Sequence, residues 1–122
     1  MKVVLTGATG GVGRAVARRL AQAGAEMLLI GRKAGPLEEL ASQLGARSLV
    51  ADLAEAQFVD RFAERLNESW DTGPDVLVNS AGLFELAPFG ETGSETFERL
   101  LAVNLRAPFE LIRACLPGML AR

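Results

Sequence analysis

Residues 6–13 read Thr-Gly-Ala-Thr-Gly-Gly-Val-Gly, directly after the apolar run Lys2-Val3-Val4-Leu5-Thr6 and directly before a helical stripe. Glycines at this spacing, between a strand and a helix, suit one kind of chemistry. They permit a tight turn, let backbone approach a pyrophosphate and bring the helix onto the sheet. The helix N-terminus then offers open N–H groups and the positive end of its dipole to the phosphates. A glycine cluster alone is more often a plain turn. The preceding strand, the following helix and the place in the first β-α unit favour a nucleotide. No Gly-Lys-Ser/Thr follows, which excludes the phosphate loop of nucleoside triphosphatases.

Other polar residues recur where later strands should end. Gly31-Arg32-Lys33 follows the second apolar run, and no acid occurs from Met27 until Glu38. A site selective for NAD usually carries an acid here for the ribose 2′-hydroxyl, whereas adjacent cations suit a 2′-phosphate. Arg can grip a phosphate with two parallel hydrogen bonds, so NADP is favoured and NAD is the second choice. The other reading is a solvated basic loop. Arg14 could face the phosphate or simply face solvent. Asp52-Leu53 follows the third run, where Asp52 is equally credible as a helix N-cap. Asn79-Ser80-Ala81-Gly82 follows the fourth. Asn104 falls inside the last helical pattern, where Asn is a poor helix former and needs a reason.

These residues must be positioned by alternating elements. Strands are expected at 2–6, 25–30, 47–51 and 75–78. A helix with Val12, Val16 and Leu20 on its apolar side should end at Gly24. A second, with Pro36 in its first turn, buries Leu37, Leu40, Ala41 and Leu44 and ends at Gly45. A third from about Ala54 to Ser69 buries Phe58, Phe62 and Leu66. The spacing of Thr92 and Glu95 fits a capping box for a last helix running to about Met119, kinked at Pro108. Trp70 and the Phe residues read as packing. The order β-α-β-α-β-α-β-α predicts an α/β fold, a doubly wound parallel sheet of Rossmann type, as one dinucleotide-binding domain over residues 1–122.

The glycine segment resembles the short-chain dehydrogenase/reductase family, whose Thr-Gly-x-x-x-Gly-x-Gly form matches Thr6, Gly7, Gly11 and Gly13. Gly7-x-x-Gly10-x-x-Gly13 also fits the extended branch of that family. Asn79-Ser80-Ala81-Gly82 looks like the Asn-Asn-Ala-Gly motif of the compact branch, with Ser80 in place of the second Asn, and favours that branch. The run Ala102 to Pro117 resembles the family as well. The resemblance implies a cofactor site formed by Thr6, Gly7, Gly11, Val12, Gly13, Arg32, Asp52, Leu53, Asn79, Ala81 and Gly82, with Asp52 at the adenine amino group. It implies that Asn104 is a catalytic-site residue whose backbone bends the helix and holds a water of a proton relay. It covers about half of the family's usual domain. In the family the other half supplies a Ser, a Tyr-x-x-x-Lys and the substrate loops.

Composition narrows the functions further. The chain has 122 residues, net charge −2 and pI near 5.2, which argues against a nucleic-acid partner. No apolar run approaches membrane-spanning length. The N-terminus is too short ahead of the glycine loop for a secretory leader, and Cys115 is the only cysteine, so a reducing cytoplasm is the expected location. With no His and one Cys, no zinc or iron site is expected. Cys115, with no His to activate it, reads as a packed thiol. The chain has no Tyr, and its only lysines are Lys2 and Lys33. By itself it is expected to bind an alcohol- or carbonyl-reducing enzyme's cofactor without turnover. A non-catalytic dinucleotide-binding module and an assembly module are the alternatives. An open fourth strand and a last helix apolar over most of its circumference, including Leu100, Leu101, Val103, Leu105, Phe109, Leu111, Ile112 and Leu116, lead us to expect a homo-oligomer.

Overall fold

The computed structural model describes residues 1–122. Val3, Val4 and Leu5 are fully buried in β1 (Lys2–Thr6), so this strand is covered on both faces. That is the condition under which a continuous apolar run becomes an interior parallel strand. β1 pairs in parallel with β2 (Glu26–Gly31) on one side and β4 (Val76–Val78) on the other, and β2 pairs with β3 (Arg47–Val50). The sheet order is β3-β2-β1-β4, with Val4 opposite Leu28 and Leu77.

Alternate strand residues point to opposite faces, and each face carries its own core. On one face Val4, Leu28 and Ile30 meet Phe58, Phe62 and Leu66 of α3 (Phe58–Ser69) and Ala107, Leu111 and Cys115 of α5 (Ala107–Leu120). On the other, Val3, Leu5, Met27 and Leu29 meet Ala17 of α1 (Gly11–Gln22) and Leu37, Leu40 and Ala41 of α2 (Ala34–Leu44). Gly24 and Gly45 take left-handed conformations just past α1 and α2, as the sequence predicts. Helix α4 (Ser94–Leu101) continues through a π-helical turn, Ala102–Arg106, into α5. No helix is long and apolar enough to cross a membrane.

Several local expectations are corrected. Helix α3 starts at Phe58 instead of Ala54, because Asp52 Oδ1 accepts the Ala54 N–H at 3.0 Å and its carbonyl accepts the Glu55 N–H at 3.1 Å. Asp52 thus closes a turn of its own and is not the N-cap of α3, which is Gln57. The capping box does not form. Gly93 is the N-cap of α4, and Thr92 Oγ1 donates to the Pro88 carbonyl at 3.1 Å. Val12 is 73% exposed; Gly13 and Ala17 are the buried residues of α1. Phe84, Phe89, Phe97 and Phe109 are exposed, leaving Phe58, Phe62 and Trp70 as the packing aromatics. The helix irregularity precedes Pro108, which sits in the first turn of α5.

Asp75 ties together the N-terminal ends of the neighbouring strands β1 and β4. Asp75 Oδ2 accepts the Lys2 N–H at 2.8 Å and Oδ1 lies 3.3 Å from Arg122. The Lys2 hydrogen bond, helped by Arg122, holds this carboxyl below the usual range. Under α5, burial pushes the Cys115 thiol up from 9.0 to about 11. The folded thiol therefore keeps its proton where the unfolded one loses it, and stability present below pH 9 declines as pH rises to about 11. Urea unfolding should lose about 2 kcal/mol more across that window in the wild type than in Cys115→Ala. Parallel pH dependence in the two proteins would contradict this placement of the thiol.

Candidate functional site

The site is built where β1 turns into α1. Gly7 has a φ of +62° and lies so close to the loop after β4 that a Cβ there would sit 2.7 Å from Ala81 N. Gly13, in the first turn of α1, backs onto Gly7; its Cβ would lie 1.9 Å from the Gly7 carbonyl oxygen. Thr6 is buried, and its Oγ1 accepts the Ala81 N–H at 3.1 Å. These contacts draw the ends of β1 and β4 and the start of α1 together. Gly10 is the N-cap of α1, and no side chain caps the helix. The amides of Gly11 and Val12 consequently donate to no group of the chain, and no acid occupies that first turn. A Cβ on Gly11 would meet nothing within 4 Å. Open amides beside free space are what a helix N-terminus needs to accept an anion.

Along the C-terminal ends of all four strands runs a cavity of about 330 Å³. It brings together six of the expected residues: Gly7, Arg32, Asp52, Leu53, Ala81 and Gly82. Thr6 and Gly13 lie behind its wall as the buried supports just described. Gly11, Val12 and Asn79 are exposed and stand outside its lining. Asn104 is also outside the lining, but it shapes it. Its Nδ2 donates to the Leu83 carbonyl at 2.7 Å and its Oδ1 accepts the Leu83 N–H at 2.8 Å. This clamp seats the loop after β4 on the π-helical turn. The turn is closed by Ala107 N–H donating to Ala102 O, and π-turns often mark functional sites. Pro108, the residue whose N–H would serve the Asn104 carbonyl in an α-helix, has none. That carbonyl is left without its α-helical donor.

The sequence reading missed Thr9, Gly10, Ile30, Gly31, Ala51, Ser80, Leu83, Arg99 and Val103, which complete the lining. Most adjoin an expected residue and could have been found by extension. Arg99 and Val103 stand one helical turn apart, and nothing but helical spacing from Asn104 signalled them. The lining carries two cations, Arg32 and Arg99, against the single acid Asp52. Neither guanidinium forms an ion pair or a hydrogen bond within the chain. A cleft at strand C-termini, with open helix amides and unpaired guanidinium groups, is arranged for a multiply anionic ligand.

Residues 1–122 match the short chain dehydrogenase family. The chain belongs to that family. It is 34% identical over 124 residues to the uncharacterized oxidoreductase YvrD of Bacillus subtilis, covering 98% of this chain and 46% of that one. It is 33% identical over 125 residues to the NADP-dependent 3-hydroxy acid dehydrogenase YdfG of Escherichia coli K12, covering 100% of this chain and 50% of that one. Among solved structures, L-sorbose reductase from Gluconobacter frateurii, complexed with NADPH and L-sorbose, superposes with a TM-score of 0.93 at 31% identity, over 99% of this chain and 48% of that one. A metagenomic short-chain oxidoreductase in complex with NADP gives a TM-score of 0.89 at 34% identity, over 99% of this chain and 57% of that one. The chain thus spans about half the length of these relatives.

The glycines separate into two kinds. Gly13→Ala should cost about 3 kcal/mol or more, since the Gly7 backbone cannot yield to a new Cβ. Gly11→Ala should stay within roughly 0.5 kcal/mol of the wild type. Denaturant unfolding of both variants checks this, and equal losses would refute the packing described.

Proposed function

We propose that residues 1–122 are the dinucleotide-binding domain of an NADP(H)-dependent oxidoreductase acting on an alcohol or carbonyl. The observation that carries this reading is the uncapped start of α1 sharing one cleft with unpaired Arg32, where no acid follows β2. The amides of residues 11–13 would take the pyrophosphate, with Thr6 and Gly7 shaping the loop and Val12 flanking it. Arg32, with Lys33 adjacent, would take the 2′-phosphate, which favours NADP over NAD. Asp52 and Leu53 would meet the adenine, and Asn79, Ala81 and Gly82 would border the ribose near the nicotinamide. When bound, the nicotinamide supplies or accepts a hydride. Asn104 would serve the reaction by seating the Leu83 loop and by offering its carbonyl, which lacks an α-helical donor, to a water.

The NADP-bound neighbours and the NADP-dependent relative support this choice of cofactor. A second reading, a non-catalytic dinucleotide-binding module, is favoured by the absence of any Tyr. Fluorescence titration should show NADPH binding to the chain. Arg32→Ala should weaken NADPH roughly 10- to 100-fold while leaving NADH nearly unchanged. No affinity for either coenzyme at millimolar concentration would end the proposal. With a panel of ketones and aldehydes, the 122-residue chain is expected to show no turnover.

We also propose that the chain self-associates and works in the cytoplasm, the latter supported by its lone, buried, unpaired cysteine. Self-association is supported by a stripe at helical spacing. Phe97, Leu101, Leu105, Phe109, Ile112 and Leu116 are 55, 41, 66, 59, 48 and 42% exposed, on the side of α4 and α5 away from the core. A stripe of this length is an interface candidate, and a second copy of the same stripe could cover it. The three-residue edge strand β4 offers less. Light scattering should report dimers or higher species, and Leu105→Glu should convert them to monomer. A wild-type monomer at high micromolar concentration would count against it.

A further inference from the structure

We infer that Arg99 is a cofactor-affinity determinant that caps the adenine of the dinucleotide, acting on the ring and not on the 2′-phosphate. The inference rests on the nicotinamide dinucleotide reading above and extends it to a residue outside every motif in the chain.

Arg99 and Val103 are one turn apart, and both line the cavity together with Asp52 and Leu53. Their helix is tied to that corner. Arg106, on the π-helical turn, donates Nη2 to the Ala54 carbonyl at 2.8 Å, joining the turn to the Asp52–Glu55 turn after β3. The Asn104 clamp fixes the same turn to Leu83. The wall bearing Arg99 is therefore held against the end of β3. The groups suited to phosphates, the α1 amides and Arg32, follow β1 and β2.

Arg99 is also uncommitted. Its guanidinium has no hydrogen bond within the chain and lies beyond ion-pair distance of Asp52, whose Oδ1 is engaged by Ala54 N–H. The apolar Leu53, Ile30 and Val103 line the same cavity. A planar guanidinium on a cavity wall that also carries apolar side chains, paired with no acid of the chain, is suited to stacking on a π face. Lysine, a compact and strongly hydrated charge, is a poor substitute there.

The test compares NADPH and NADH binding by fluorescence titration of wild type, Arg99→Ala, Arg99→Lys and, as a reference, Arg32→Ala. Thermal unfolding is measured in parallel and should match wild type for both Arg99 variants. Arg99→Ala should weaken both coenzymes by the same factor, about 5-fold, and Arg99→Lys should recover little of it. Arg32→Ala should act on NADPH alone. Equal affinities for wild type and Arg99→Ala would overturn the inference and leave the dinucleotide reading standing. A loss confined to NADPH and restored by Lys would overturn it in favour of a phosphate contact. Wild type binding neither coenzyme would overturn the dinucleotide reading and this inference together.

Discussion

One close approach governs the rest of this molecule: the first turn of α1 lies directly on the loop that leaves β1, and that loop lies directly on the one that leaves β4. Neither contact tolerates a side chain. The missing Cβ at Gly13 admits the Gly7 carbonyl, and the missing Cβ at Gly7 admits the Ala81 backbone. Thr6 fixes the same junction with a buried hydroxyl that accepts the Ala81 amide. A helix this close to its strand places its open N-terminal amides at the sheet edge, where the dipole and the unsatisfied donors act on whatever binds there. Anion affinity and tight packing therefore have one origin.

The opposite wall of the cleft depends on a defect in a helix. The π-helical turn at Ala102–Arg106 lets Asn104 reach the Leu83 backbone with both ends of its amide, while Arg106 reaches the turn after β3. The two loops so pinned are the ones that carry Asp52 and Gly82 into the cleft. Electrostatics complete the site. The lining arginines have no internal partners, so their charge is available to a ligand.

The helical segment that builds this wall has two faces with different roles. Ala107, Leu111 and Cys115 close the core against β1, β2 and α3, and Cys115 is desolvated enough to hold its proton well above the usual thiol range. The outward stripe from Phe97 to Leu116 stays in water. Apolar area of that kind is left for another surface to cover.

The order of elements, the parallel sheet and the glycine loop were all legible in the residue pattern. Apolar runs of four to six residues between amphipathic stripes admit few other folds. Arg32, Asp52 and Gly82 could be named because chain direction places every strand end on one edge of a parallel sheet. Local spacing could not settle matters decided by competition between neighbours. Asp52 engages its carboxylate in its own turn, Thr92 bonds back to Pro88, and Val12 faces solvent while Gly13 takes the contact with the loop after β1. Arg99 and Val103 entered the site only because the Asn104 and Arg106 anchors set the pose of their helix. Sequence alone determined which chemistry could gather at the sheet edge, since period and glycine placement are properties of the chain. Tertiary structure decided which side chains stay free to perform it, since a donor or charge is available only when no folded neighbour has already claimed it.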